Sequence, residues 1–187
     1  DIAPYSEKQL QKLRGSLFSM VFQDPMTFLN PVLRIQTQLI EPIINHNPGI
    51  SKKEAIERAI ELMRKVGIPS PETRIRQYPF QFSGGMRQRI IIAIALACDP
   101  KLIIADEPTT ALDVTIQAQV LELISNLKDE IDSSIIMITH DLGVVASICD
   151  RIAIMYGGKI VEQGTTDEIF YDPKHPYTKG LLSCISN

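Results

Sequence analysis

The 187 residues carry 44% hydrophobic side chains and a net charge of −3, enough for one sizeable core or for a core domain with a small lobe. No apolar run approaches the roughly 18 residues that a membrane span needs, and the acidic balance argues against nucleic acid as the main partner. No signal peptide is visible, and Cys98, Cys149 and Cys184 are too scattered for a disulfide framework or a metal spacing, which predicts a reducing, cytoplasmic setting. The charge is uneven: residues 1–90 hold 13 basic and 8 acidic side chains, residues 91–187 hold 6 and 14. Such a bias is either solvated surface or a means for one copy to attract another.

From the N-terminal end, Ser6 ahead of residues 7–13 predicts a short capped helix, and residues 16–22 a strand that stops at Gln23-Asp24-Pro25. Gln23 is then a turn residue or an amide that reaches a metal or water at a sheet edge. Asn30-Pro31 reads as a helix start, with Pro31 where its missing N–H costs nothing. Ile35, Leu39 and Ile43 share a face of that helix, and Pro42 is expected to kink or end it. Ser51 and Glu54 form a capping box for a second helix. Its apolar face is Ala55, Ile56, Ala59, Ile60, Met63 and Val66, and Gly67 closes it. Residues 31–79 therefore read as a small helical lobe inserted in an α/β body.

Ser83-Gly84-Gly85 opens a helix running to about Cys98, with Ser83 as N-cap. Small residues at a helix N-terminus suit phosphate oxygens, because backbone donors and the helix dipole point the same way. The glycines serve packing equally well. Beyond Arg89 the helix is apolar nearly all round and must be buried.

Leu102-Ile103-Ile104-Ala105 reads as a strand buried on both faces, of the kind found in parallel sheets. It ends in Asp106-Glu107, followed by Pro108 and two threonines. Ligands of open α/β sheets bind at the carboxyl ends of strands, and paired acids there suit Mg²⁺ and an attacking water. Solvent-facing acids after a strand are the alternative. Asp113 is the expected N-cap of a helix through Ile131 with Ile116, Val120, Ile124, Leu127 and Ile131 on one face. Residues 135–139 form another buried strand, ending at His140-Asp141; His140 is a phosphate sensor or a structural hydrogen bonder. Residues 152–156 and 159–163 make a hairpin through Gly157-Gly158. Thr165 and Glu168 form a capping box, and His175-Pro176-Tyr177-Thr178 starts a last short helix.

In order, these elements resemble the ATP-binding cassette ATPases. The Q-loop glutamine is Gln23, the signature helix starts at Phe82-Ser83-Gly84-Gly85-Met86-Arg87-Gln88-Arg89, and the Walker B strand leads into Asp106-Glu107-Pro108. The D-loop is Ala111-Leu112-Asp113 and the H-loop Ile138-Thr139-His140-Asp141. Within the family the chain is most similar to ATPase subunits of bacterial oligopeptide and dipeptide importers, through Gln23-Asp24-Pro25-Met26-Thr27, Leu29-Asn30-Pro31, Phe82, Met86 and the terminal His175-Pro176-Tyr177-Thr178. Phe82 and Met86 stand where many transporters have Leu and Gln.

The resemblance implies an α/β P-loop NTPase sheet flanked by helices. Residues 1–30 would be ATPase core, 31–98 a helical subdomain with the signature helix, 99–165 core again, and 166–187 a C-terminal helical extension. It implies ATP and Mg²⁺ as cofactors. Asp106, with Gln23, would hold the metal, Glu107 would polarise the attacking water, and His140 would contact the γ-phosphate. Ser83, Gly84 and Gly85 would cap the nucleotide of an opposite subunit, and Asp113 would cross that interface. The implied partners are a second ATPase subunit, identical or not, transmembrane permease subunits, and indirectly an extracytoplasmic substrate-binding protein, with no nucleic acid. The implied location is the cytoplasmic face of the bacterial inner membrane, and the cargo peptide or possibly nickel. No G-x-x-x-x-G-K-[ST] sequence occurs. The family carries that loop upstream of the Q-loop, so the expectation is an N-terminally truncated chain, inactive alone. Its strand would lie between those at 135–139 and 152–156. A non-transport ATPase acting on nucleic acid or ribosomes, and a non-catalytic dimerising fragment, are the alternatives.

Overall fold

The computed structural model describes residues 4–23, 25–110, 112–130 and 133–184, with backbone alone for Pro25, Met26 and Asp129. The expectations placed on Asp24, Ala111 and Ile131 therefore lie outside the described residues. The chain divides into two compact units, residues 1–138 and 139–187.

The first unit begins with α1 (Glu7–Leu13), where Ser6 and Gln9 form a capping box, and β1 (Phe18–Val21). Residues 25–28, expected as loop, form the short helix α2 (Pro25–Phe28). The next helix does not start at Pro31. Asn30 holds a turn of its own, its side chain accepting from Val32 N at 3.1 Å and its carbonyl from Leu33 N at 3.2 Å. This local bonding competes with helix, so α3 (Ile35–His46) begins four residues later. Nor does Pro42 end it: α3 runs to His46, and the Pro42 carbonyl faces His46 Nδ1 at 3.0 Å and accepts from the Cys98 thiol at 3.4 Å.

The box at Ser51 and Glu54 opens α4 (Lys52–Lys65). The Ser51 hydroxyl and backbone N–H hold the Glu54 carboxyl below its ordinary range. Gly67, at φ +74°, closes α4 as expected. A Cβ there would stand 2.6 Å from Arg89 Nη1, which donates to Val66 O at 2.8 Å. After α5 (Pro71–Arg74) and a 3₁₀ turn (Pro79–Gln81), α6 (Gly84–Leu96) packs on α3 and α4. Ile35, Leu39, Ile43, Ala55, Ala59, Met63, Ile90 and Ile91 are wholly buried in this helical lobe.

The sheet is parallel, in the order β1–β2–β3, with β2 (Leu102–Asp106) central, α7 (Val114–Glu130) following it and β3 (Ser134–Ile138) at an edge. Val21, Ala105 and Met137 stand in register, as do Met20, Ile104 and Ile136. The side facing α6 and α7 is packed, leaving between them a cavity of about 20 Å³ lined by Val21, Ile92, Ile103, Ala105, Ile124, Leu127 and Ile135. The other side differs from expectation. β2 is buried on one face and only half-buried on the other, and on β3 Ile136 and Ile138 are 50% and 47% exposed. A row of branched residues predicts two covered faces only where elements exist to cover both, and no described helix of this unit covers the second.

The second unit begins at Thr139. Asp141 caps α8 (Leu142–Ile148), accepting from Gly143 N at 2.9 Å and Val144 N at 3.3 Å. β4 (Arg151–Tyr156) and β5 (Lys159–Thr165) form the predicted hairpin, Gly157 and Gly158 taking positive φ. Thr165 and Glu168 cap α9 (Thr166–Tyr171), and His175 Nδ1 accepts from Tyr177 N at 3.1 Å to start α10 (Pro176–Ser183). Glu162 takes the backbone N–H groups of Lys174 at 2.6 Å and His175 at 3.0 Å, fixing the turn before α10 to β5.

Candidate functional site

The carboxyl end of β2 gathers three polar residues. The strand ladder continues one step past Asp106, since Glu107 N donates to Ile138 O at 2.9 Å. Glu107 then turns the chain at φ +44°, a left-handed conformation that costs a non-glycine residue on the order of 1–3 kcal/mol and clusters at functional sites. Its carboxylate Oε2 accepts from Gln23 Nε2 at 2.9 Å and from the Thr110 hydroxyl at 3.0 Å. Gln23 stands two residues beyond β1, which pairs with β2, so adjacent parallel strands deliver amide and carboxylate to one edge.

Two donors on one oxygen hold the carboxylate in place. Glu107 and Asp106 are half-buried, with Pro108 and Thr109 buried behind them. A positioned carboxylate of this kind can take a proton from a water or orient it. The donor set also fits Mg²⁺, which binds through one or two carboxylates and keeps water and phosphate oxygens for the rest. Asp106 could supply an oxygen ligand, and with the Gln23 nitrogen facing Glu107 the amide oxygen would be its ligating atom. Among the described residues there is no group of three or more His, Cys, Asp or Glu that would enclose a metal unaided.

Ser83, Gly84 and Gly85 lie at the start of α6, and Asp113 at the start of α7. Ser83 caps α6, accepting from Met86 N at 3.4 Å, and both Ser83 and Gly84 are exposed. Gly85 is buried, and a Cβ there would lie 2.3 Å from Ile116 Cγ2 of α7. Its lack of a side chain is thus demanded by helix packing. Asp113 caps α7, accepting from Ile116 N at 3.1 Å, and is exposed. His140 follows β3 in the chain, is exposed, and belongs to the second unit.

Sequence reasoning missed Thr110 as a partner of Glu107. The signal was present: a threonine three residues after an acid at a strand end is placed to bond back across a turn. Leu29 is 2% exposed and part of the core, while its neighbour Phe28 is 38% exposed and stacked on Phe22, ring centroids 5.2 Å apart. The side chain of Met26 lies outside the described residues. Phe22, Val32 and Leu33 are also exposed.

Residues 2–110 match the ABC transporter family, and residues 161–187 the C-terminal region of oligopeptide/dipeptide transporters. The chain is 62% identical over 183 residues to the oligopeptide transport ATP-binding protein OppD of Bacillus subtilis (strain 168), covering 98% of this chain and 51% of that protein. It is 60% identical over 176 residues to the dipeptide transport ATP-binding protein DppD of Lactococcus lactis subsp. cremoris (strain MG1363), covering 94% and 50%. The chain thus spans about half the length of these curated relatives. Among solved structures, the dimeric post-hydrolysis state of the ATP-binding cassette MJ0796 bound to ADP and Pi superposes with a TM-score of 0.75 at 29% identity, over 87% of this chain and 68% of that one. The chain belongs to the ABC transporter family.

Proposed function

We propose that this chain is part of the ATP-hydrolysing subunit of a bacterial importer for oligopeptides or dipeptides, working at the cytoplasmic face of the inner membrane. The observation that carries the reading is the Glu107 carboxylate, held by Gln23 and Thr110 at the end of a parallel strand. Glu107 is the base that orients the attacking water, and Gln23 fixes it. Asp106, with the Gln23 oxygen, holds Mg²⁺, which neutralises phosphate charge when bound with ATP. His140 would contact the γ-phosphate. Ser83, Gly84 and Gly85, with Asp113, belong to the face that meets the nucleotide of a second ATPase subunit, the α6 N-terminus offering backbone donors. Residues 31–98 act as the helical subdomain between core segments 1–30 and 99–165, with 166–187 a C-terminal extension. The peptide assignment draws on the match of residues 161–187 to the oligopeptide/dipeptide transporter C-terminal region. No helix among the described residues is long and apolar enough to cross a membrane. The proposed partners are permease subunits that pass the cargo, fed by an extracytoplasmic binding protein.

The test is Glu107→Gln in the full-length subunit. The amide keeps the shape and removes the base, so MgATP binding persists while turnover falls roughly a hundred- to ten-thousand-fold. Turnover within a few-fold of wild type would remove Glu107 from the role.

Permease docking is assigned to the surface that includes Phe28, the residue joining the Gln23 turn to the lobe. Phe28→Glu is expected to spare basal ATPase activity and reduce transport and permease-stimulated hydrolysis. Loss of basal activity together with a lower melting temperature would show Phe28 to be core instead.

A further inference from the structure

Gln88 lies in α6, is 0% exposed, and neither its amide nitrogen nor its amide oxygen has a hydrogen-bond partner among the described residues. Natural folds rarely leave a buried amide with both groups unmet, and each such case calls for a reason. Its place along the helix supplies one. Residues three and four apart share a helix face, so Gln88 stands between Gly85, which abuts Ile116 of α7, and Ile92, which lines the cavity against Val21 and Ala105. The C-terminal end of α6 leads to the start of β2, and Ser19 Oγ donates to Ala95 O at 2.8 Å. The helix therefore runs antiparallel to the strands. Ile92 is level with the ends of β1 and β2, and Gln88 lies one turn, about 5.4 Å, further on. That is the level at which β1 passes into Gln23 and β2 into Glu107.

We propose that Gln88 is a positioning residue for hydrolysis, linking the nucleotide seated at the Ser83 end of α6 to the Gln23–Glu107 pair of the same subunit. When α6 is drawn toward that nucleotide, the Gln88 amide gains hydrogen bonds to the backbone of the turns carrying Gln23 and Glu107, and those turns are held in the geometry that hydrolysis needs. A group whose bonds form only on the way to the transition state raises kcat without tightening substrate.

This inference rests on the ATPase reading, and the experiment separates the two. Gln88→Met and Gln88→Leu, which keep bulk and remove both polar groups, are compared with wild type in the full-length subunit for MgATP turnover per folded molecule and for melting temperature. The expected result is a melting temperature unchanged or raised, because an unmet buried amide is gone. With it, kcat falls by about tenfold or more while KM for ATP stays within about threefold. A kcat within about twofold of wild type in either variant overturns the inference. So does a fall in melting temperature with activity per folded molecule intact, or an effect confined to KM. A wild-type subunit without MgATP turnover fails the ATPase reading itself, and the inference with it.

Discussion

The helical lobe and the sheet treat the same kind of residue in opposite ways. In the lobe, Ile35, Leu39 and Ile43 of α3 meet Ala55, Ala59 and Met63 of α4 and Ile90 and Ile91 of α6, and all eight are fully buried. In the sheet, equally branched residues of β3 alternate, Ile135 and Met137 packed inward, Ile136 and Ile138 half-exposed. The lobe closes a core from its own three helices, whereas the sheet closes one face and presents the other, together with the strand ends, to its surroundings. Polar chemistry gathers where closure is incomplete: Gln23, Asp106, Glu107 and Thr110 all belong to the sheet edge. We assign stability to the packed region and chemistry to the open edge.

The strongest way to break that comparison is to hollow each region in turn. Leu39→Ala removes a fully buried side chain from a core that cannot collapse freely, and is expected to cost about 2–5 kcal/mol. Ile136→Thr, on the open face of β3, should stay within about 0.5 kcal/mol. Denaturant unfolding of the 187-residue chain measures both, and comparable losses would mean that the sheet is as tightly closed as the lobe. A smaller effect tests the seam between the two. Gly85→Ala drives a methyl group into Ile116, and overpacking of this kind costs about 1–3 kcal/mol. The same assay reads it; a neutral result would show that α6 and α7 can part without strain, and that Gly85 owes its identity to nucleotide rather than to packing.

Local chemistry was the legible part. Ser51 with Glu54 and Thr165 with Glu168 were readable as capping boxes because each interaction spans three residues and needs nothing else. Gly157-Gly158 was readable for the same reason. One misreading and one omission came from short side chains that bond to the backbone. Asn30 built its own turn and displaced the start of α3, and Asp141 capped α8, a short helix whose Leu142-Gly143-Val144-Val145 carries no period to betray it. The exposure of Ile136 and the burial of Leu29 depend on what other segments bring to those faces, which no pattern within a strand or turn encodes. At the site, the order of motifs pointed to Gln23 and Glu107. That the two touch, that Thr110 joins them and that Glu107 takes a positive φ follow from the register of β1 on β2.

The claim that the open edge carries chemistry and little stability meets its most direct test at Gln23. Gln23→Leu removes the amide that holds Glu107 and leaves every lobe contact in place. Turnover of MgATP by the full-length variant should fall by about tenfold or more, with the melting temperature unchanged within about 2 °C, a shift that corresponds to well under 1 kcal/mol. Intact turnover, whatever the melting temperature, would contradict the account.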